Sequence, residues 1–235
     1  KKFNLDSNYE RYEFNKIKLN NLKFFYENKK IVFENLNFEI NKNEKIGLMG
    51  KSGSGKSTFI NLFSGLLKPS QGSIEIDEKQ ISDTLLEKFQ SQITYVPQKV
   101  TIFDESVFFN ISLETDIKKV NIEKLNIILK ELDLHKTIYN LPENINQRVG
   151  EKGSKLSGGQ CQRIGIARAL YRDKDIIVLD EATNSLDVET EKKILDILFN
   201  KYKEKTIIFS THKFNSLKYC DTIYEIDDYD LKKRQ

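Results

Sequence analysis

The chain has 235 residues, enough for one α/β domain with a sizeable core and room for an inserted lobe. Its 38 Lys+Arg against 35 Asp+Glu leave a net charge of +3, so no strong field draws it to nucleic acid or an anionic lipid surface. Its two cysteines, Cys161 and Cys220, make neither a disulfide framework nor a metal-ligand pair, which fits a reducing compartment, and there is no signal peptide or membrane-length apolar run.

The only methionine is Met49 and the chain opens on Lys1, so residues 1–13 read as a linker from an upstream region. From Phe14 to Ile40 apolar and polar residues alternate: Ile17 and Leu19, then Leu22, Phe24 and Tyr26, then Leu36, Phe38 and Ile40. A period of two predicts an antiparallel sheet wet on one face. The stretch from Lys45 to Phe63 reads as a short strand, a glycine-rich turn and a helix. In it Gly50 and Gly55-Lys56-Ser57 match G-x-x-x-x-G-K-[ST]. Small residues let such a loop wrap a polyphosphate with its N–H groups turned inward, while the helix N-terminus and Lys56 supply positive charge. The Ser57 hydroxyl falls where a Mg²⁺ ligand is needed. Gly65 can end the helix, and Ser73 to Asp77 and Ile93 to Val96 predict further strands.

The middle changes character. Ile122, Leu125, Leu129 and Leu132 recur at helical spacing behind Asn121 as N-cap, and Pro142, Gly150 and Gly153 mark a loop. Residues 99–171 thus read as a mainly helical lobe inserted into the α/β core. Within it, Leu156-Ser157-Gly158-Gly159-Gln160 opens a helix carrying Ile164, Ala167 and Leu170, a second helix start suited to an anion. The core resumes with the short apolar runs 176–179 and 207–209, as expected of parallel strands buried on both faces. An amphipathic helix on Ile194, Ile197 and Leu198 lies between them, and Thr222 to Ile226 predicts a last strand.

Asp180 and Glu181 follow the run 176–179 directly, at the carboxyl end of a buried strand, where α/β sheets place ligands. Beside a phosphate loop, Asp180 is the natural partner of Ser57 on Mg²⁺, and Glu181 can orient and deprotonate a water. The competing reading makes Asp180 a helix N-cap. His212 follows the next core strand and can reach a γ-phosphate. His135 has no such context and reads as a surface or packing residue.

In this order, Gly50–Ser57, Gln98, Leu156–Gln160, Asp180-Glu181, Asn184–Asp187 and His212 resemble the nucleotide-binding domain of ATP-binding cassette (ABC) transporters, over about residues 14–226. The resemblance implies an α/β fold: a P-loop NTPase (RecA-like) core at about 14–98 and 172–235, with an N-terminal antiparallel β subdomain and a helical subdomain inserted at about 99–171. It implies ATP and Mg²⁺. Tyr26 would stack on adenine; on the residues alone it reads as one more strand aromatic. Gly50, Ser52, Gly53, Ser54, Gly55, Lys56, Ser57 and Thr58 would hold the nucleotide, and Ser57, Gln98 and Asp180 the metal. Glu181 is implied as general base, with His212, Lys56 and Gln98 completing the catalytic set.

In the same family two copies pair head to tail. Ser157, Gly158, Gly159 and Gln160 of one would cap the ATP of the other, and Asp187 lies in the loop that crosses between them. Nothing essential is degenerate, which favours a homodimer over a heterodimer. The segments Arg148–Gly153 and Phe103–Val107, then Asn110-Ile111, and the lead before the first strand resemble exporters; Ile164–Tyr171 resembles bacterial saccharide-lipid flippases. The implied partners are a transmembrane domain, in the same or an associated chain, and a second copy, with no nucleic acid, at the cytoplasmic face of the inner membrane. The alternative is a soluble ATPase of this type acting on nucleic acid or ribosomes, though the chain has no tandem cassette, coiled-coil insertion or basic stripe. Cys161 stands where a basic residue is usual, and Lys213 where an arginine usually follows the histidine.

Overall fold

The computed structural model describes residues 13–26, 31–227 and 230–234, so residues 1–12 of the expected linker lie outside the described residues. The first half contains β1 (Lys16–Phe25), β2 (Ile31–Asn41), β3 (Lys45–Met49), α1 (Lys56–Phe63), β4 (Gln71–Ile76), β5 (Lys79–Gln80), α2 (Asp83–Ser91) and β6 (Ile93–Val96). Then come α3 (Val107–Ser112), α4 (Ile122–Glu131), α5 (His135–Tyr139) and α6 (Gly158–Arg172). The chain finishes with β7 (Ile176–Asp180), α7 (Val188–Asp196), β8 (Thr206–Ser210), β9 (Thr222–Asp227) and β10 (Asp230–Lys233).

The expected antiparallel sheet has strand order β2-β1-β4-β5. In the sequence its alternation slips phase between Leu19 and Leu22. The structure shows why: the pairing register shifts there and Asn21 takes φ 48°, a bulge that adds one residue and returns Leu22 and Phe24 to the buried face. The second sheet runs β10-β9-β3-β8-β7-β6, parallel from β9 to β6, with β10 antiparallel at its edge.

Every residue of β7 and β8 is buried, because the parallel sheet is covered on both faces. Alternate side chains serve two cores. Ile176, Val178 and Ile208 pack with α1 and the antiparallel sheet; Ile177, Leu179, Ile207 and Phe209 pack with α6, α7 and the helical segment. The first core includes an aromatic chain in which Phe38 meets Phe59 and Phe63 edge-on, and Phe63 meets Phe89. Because β3 pairs with β8 and β8 with β7, the loop joining β3 to α1 emerges beside the ends of β7 and β8.

The structure departs from the expectations locally. The strand β5, the helix α2 and the edge strand β10 appear where no element was expected, and α7 continues past Asp196 as a wider π turn at Ile197–Lys201. Asp180 is the last residue of β7, and the following helix is capped by Asp187, so the N-cap reading of Asp180 is set aside.

Candidate functional site

β3, β8, β7 and β6 are parallel neighbours, so whatever follows their carboxyl ends meets at one edge of the sheet. The glycine loop leaves β3, Gln98 lies just past β6, Asp180 closes β7 and His212 lies just past β8. Ser52, Gly53, Gly55, Lys56, Ser57, Thr58, Gln98, Asp180 and Glu181 line one cavity of about 250 Å³.

The loop needs its glycines for shape. Gly50 and Gly55 sit at φ 153° and 112°, and a Cβ on Gly50 would come 2.5 Å from Ser54 Oγ and 2.9 Å from the Ile226 carbonyl. Gly55 is the N-cap of α1, with no side-chain cap and no acidic residue in the first turn, so the N–H groups and positive dipole end remain available to an anion. Lys56 Nζ donates to the carbonyls of Gly50 and Lys51 at 2.9 and 3.2 Å and lies 3.5 Å from Glu181 Oε1. Ser54 Oγ is buried on the Gly50 side of the loop without a hydrogen-bond partner, and neither Ser54 nor Gly50 lines the cavity.

Ser57 Oγ donates to Asp180 Oδ2 at 2.9 Å, and Tyr95 OH donates to the same oxygen at 3.0 Å. Burial, reinforced by the Asp180 charge, pushes the Tyr95 pKa up, so its hydroxyl stays protonated and donating. The hydroxyl and carboxylate are hard oxygen donors. They suit Mg²⁺, which is bound through one or two carboxylates and completes its shell with water and phosphate. No cluster of three His, Cys, Asp or Glu among the described residues offers a rival metal site.

Glu181 adopts the left-handed conformation, φ 50°, at a cost of about 1–2 kcal/mol for a residue with a Cβ. Its N–H donates to the Ser210 carbonyl at 3.0 Å, which ties it to β8. Gln98 Nε2 and Asn184 Nδ2 each donate to its Oε2 at 2.9 Å, and His212 Nδ1 lies 3.9 Å from that oxygen. The sequence singled out Gln98 and Asn184 by motif only; the structure makes them the two donors that aim one carboxylate. Tyr26 is not a core aromatic: it lies beyond the end of β1, 40% exposed, with its hydroxyl 3.0 Å from Thr58 Oγ1.

The second helix start stays apart. Ser157 and Gln160 form a capping box, each side chain accepting from the other's backbone N–H, at 3.2 Å onto Ser157 Oγ and 2.8 Å onto Gln160 Oε1. Ser157 and Gly158 are exposed, and none of Ser157, Gly158, Gly159 or Gln160 lines the cavity. Asp187 accepts from the Thr190 N–H at 2.9 Å, which holds its carboxyl below the usual range. Sequence reasoning missed Gln162. It is buried in α6, donating to the Gln98 carbonyl at 3.4 Å and accepting from the Ser185 N–H at 3.1 Å, and so links this helix to the cavity wall. The available signal was its spacing, since Gln162, Ile166 and Ala169 share one buried stripe.

A family model described as "ABC transporter" matches residues 33–184. The ATP-dependent lipid A-core flippase of Pseudoalteromonas translucida is 39% identical over 218 residues, covering 90% of this chain and 37% of the flippase. The mitochondrial iron-sulfur clusters transporter ABCB7 of Homo sapiens is 34% identical over 218 residues, 93% of this chain and 29% of that protein. Among solved structures, a bacterial Atm1-family ABC exporter with ATP bound superposes with a TM-score of 0.85 at 29% identity, covering 93% of this chain and 38% of the exporter. The chain thus spans about a third of the length of the curated relatives it matches.

Proposed function

The chain is a member of the ABC transporter family, and on that premise we propose that it is the ATP-binding and ATP-hydrolysing motor domain of an exporter. Two copies close head to tail around two Mg-ATP and reopen after hydrolysis. This motion drives a transmembrane domain, in the same or an associated chain, that exports or flips a cargo. The observation that carries the reading is the single cavity in which the glycine loop, the Ser57–Asp180 pair and the aimed Glu181 carboxylate meet.

Within it, Lys56 and the loop N–H groups hold the phosphates, and Tyr26 offers a ring face to adenine. Ser57 and Asp180, with Gln98 beside them, would hold Mg²⁺. When bound, Mg²⁺ neutralises phosphate charge and polarises the γ-phosphoryl group. Glu181 orients a water and takes its proton, Gln98 and Asn184 keep the carboxylate in place, and His212 reaches the γ-phosphate. Ser157, Gly158, Gly159 and Gln160 cap the nucleotide of the neighbouring copy, and Asp187 lies at the crossing between copies.

The core is assigned to about 14–98 and 172–235 and the helical subdomain to about 99–171. A homodimer is favoured, because both sites would then be complete. Relatives named lipid A-core flippases support a lipid-linked saccharide or other lipid-like cargo, with the domain at the cytoplasmic face of the inner membrane. The test is ATP hydrolysis by the 235-residue chain across a range of protein concentrations. Turnover per chain should rise with concentration and fall away in Glu181→Gln. A chain that neither binds nor hydrolyses ATP at any concentration would overturn the reading.

A further inference from the structure

Lys213, the residue that stands in place of an arginine behind His212, is paired with a buried acid. Its Nζ donates to Glu191 Oε2 at 2.7 Å. Glu191 lies on α7 and is 5% exposed. Its other oxygen, Oε1, accepts from Thr183 Oγ1 at 2.7 Å and from Ser216 Oγ at 3.4 Å. One carboxylate therefore holds both the segment that follows Glu181 and the turn that follows His212.

From these contacts we propose that Glu191 is a positioning residue, which through Thr183 and Lys213 sets where His212 stands relative to Glu181; the proposal rests on the motor reading above. His212 is 59% exposed at its side chain, so packing does little to place it. Its position comes from the backbone on either side. Upstream, Thr211 is fully buried and its N–H donates to the Leu48 carbonyl at 3.1 Å. Downstream, the Lys213 N–H donates to Thr211 Oγ1 at 3.1 Å, and the Ser216 N–H closes the turn onto the Lys213 carbonyl at 3.0 Å. The turn is held from α7 through the Lys213 ammonium and the Ser216 hydroxyl.

The acid end is held in the same way. Thr183 is fully buried, and the Asn184 N–H beside it donates to the Glu181 carbonyl at 3.2 Å. A carboxyl at this depth must keep its donors, because breaking a buried ion pair by removing one partner is strongly destabilising. The two reacting-side groups, 3.9 Å apart at His212 Nδ1 and Glu181 Oε2, are thereby set by a third group that touches neither.

The experiment uses the 235-residue chain, whose two histidines, His135 and His212, give two sets of imidazole signals by NMR. Parent, Glu191→Gln, Lys213→Arg and the double variant Glu191→Gln/Lys213→Gln are compared; the last removes both charges together, so that no buried charge is left unpaired if the single variant fails to fold. ATP affinity, kcat and thermal midpoint are measured on each. Glu191→Gln, or the double variant, is expected to move the His212 signals and not those of His135. It should lower kcat roughly 10- to 100-fold, the scale set by small misplacements of reacting groups, with ATP affinity within a few-fold. Lys213→Arg should retain both the His212 signals and kcat. A folded variant whose His212 signals and kcat match the parent would overturn the proposal, as would a loss of kcat matched by an equal loss of ATP affinity. A parent without Glu181-dependent turnover would sink the motor reading instead, and the His212 signals would still decide the placement.

Discussion

Replacing Glu181 by glutamine removes a proton acceptor while leaving the shape of the site. Gln98 and Asn184 both donate to Glu181 Oε2 at 2.9 Å, and a glutamine can satisfy both by turning its carbonyl oxygen toward them. What is lost is the ion pair to Lys56 at 3.5 Å, and Lys56 keeps its carbonyl acceptors on Gly50 and Lys51. Losing one interaction to a charged group costs about 1–3 kcal/mol of stability, which a domain of ordinary stability tolerates. The barrier changes more. General base catalysis contributes about 10²- to 10⁴-fold, so turnover should fall by that factor, equivalent to about 3–5 kcal/mol on the activation free energy. Phosphate release at saturating ATP measures the turnover, and equilibrium titration measures the ATP affinity, which should hold. A folded, ATP-binding Glu181→Gln chain that hydrolyses at the parent rate would refute the assignment of the base.

Other expectations follow from the same geometry. Lys56→Ala removes the ammonium that braces the loop, and ATP affinity should drop about 10- to 100-fold in a fluorescence titration; unchanged affinity would count against the phosphate loop. Tyr26→Ala should weaken ATP binding by about 1–3 kcal/mol, the worth of a stacked base, whereas Tyr26→Phe keeps the ring and loses only the contact to Thr58. Equal losses in the two, by calorimetry, would exclude ring stacking. Ser157→Phe lies outside the cavity and should leave ATP affinity within a few-fold, yet abolish the ATP-induced dimer in light scattering. A dimer as strong as the parent's would contradict the head-to-tail pairing.

Much of this site was legible in the sequence because its strongest signals are local. The Lys45–Phe63 stretch encodes strand, turn and helix within one run, and the fully buried strands β7 and β8 announce themselves as short apolar runs ending in Asp180 and just before His212. Most of the contacts that aim these groups are not local, Asn184 being the exception at three positions from Glu181. Tyr95 reaches Asp180 across 85 positions and Gln98 reaches Glu181 across 83, so neither has a periodic signature. Glu191 has no local signature in the sequence, and only folding brings Lys213 to it from 22 positions away. The helix α2 was overlooked because its buried face is narrow, with Phe89 its one fully buried residue. The edge strand β10 consists mainly of charged residues, and it forms because β9 offers it an open edge.

The head-to-tail clamp is tested most directly by interchain crosslinking. Cys161 and Cys220 are free and would first be replaced by serine. Cysteines are then introduced as Ser52→Cys in the glycine loop and Ser157→Cys at the start of α6, in the Glu181→Gln background that retains ATP. The expected result is a disulfide-linked dimer that forms with Mg-ATP and not without it. Failure of the two positions to crosslink in chains shown to hold ATP, or crosslinking that ignores nucleotide, would contradict the clamp.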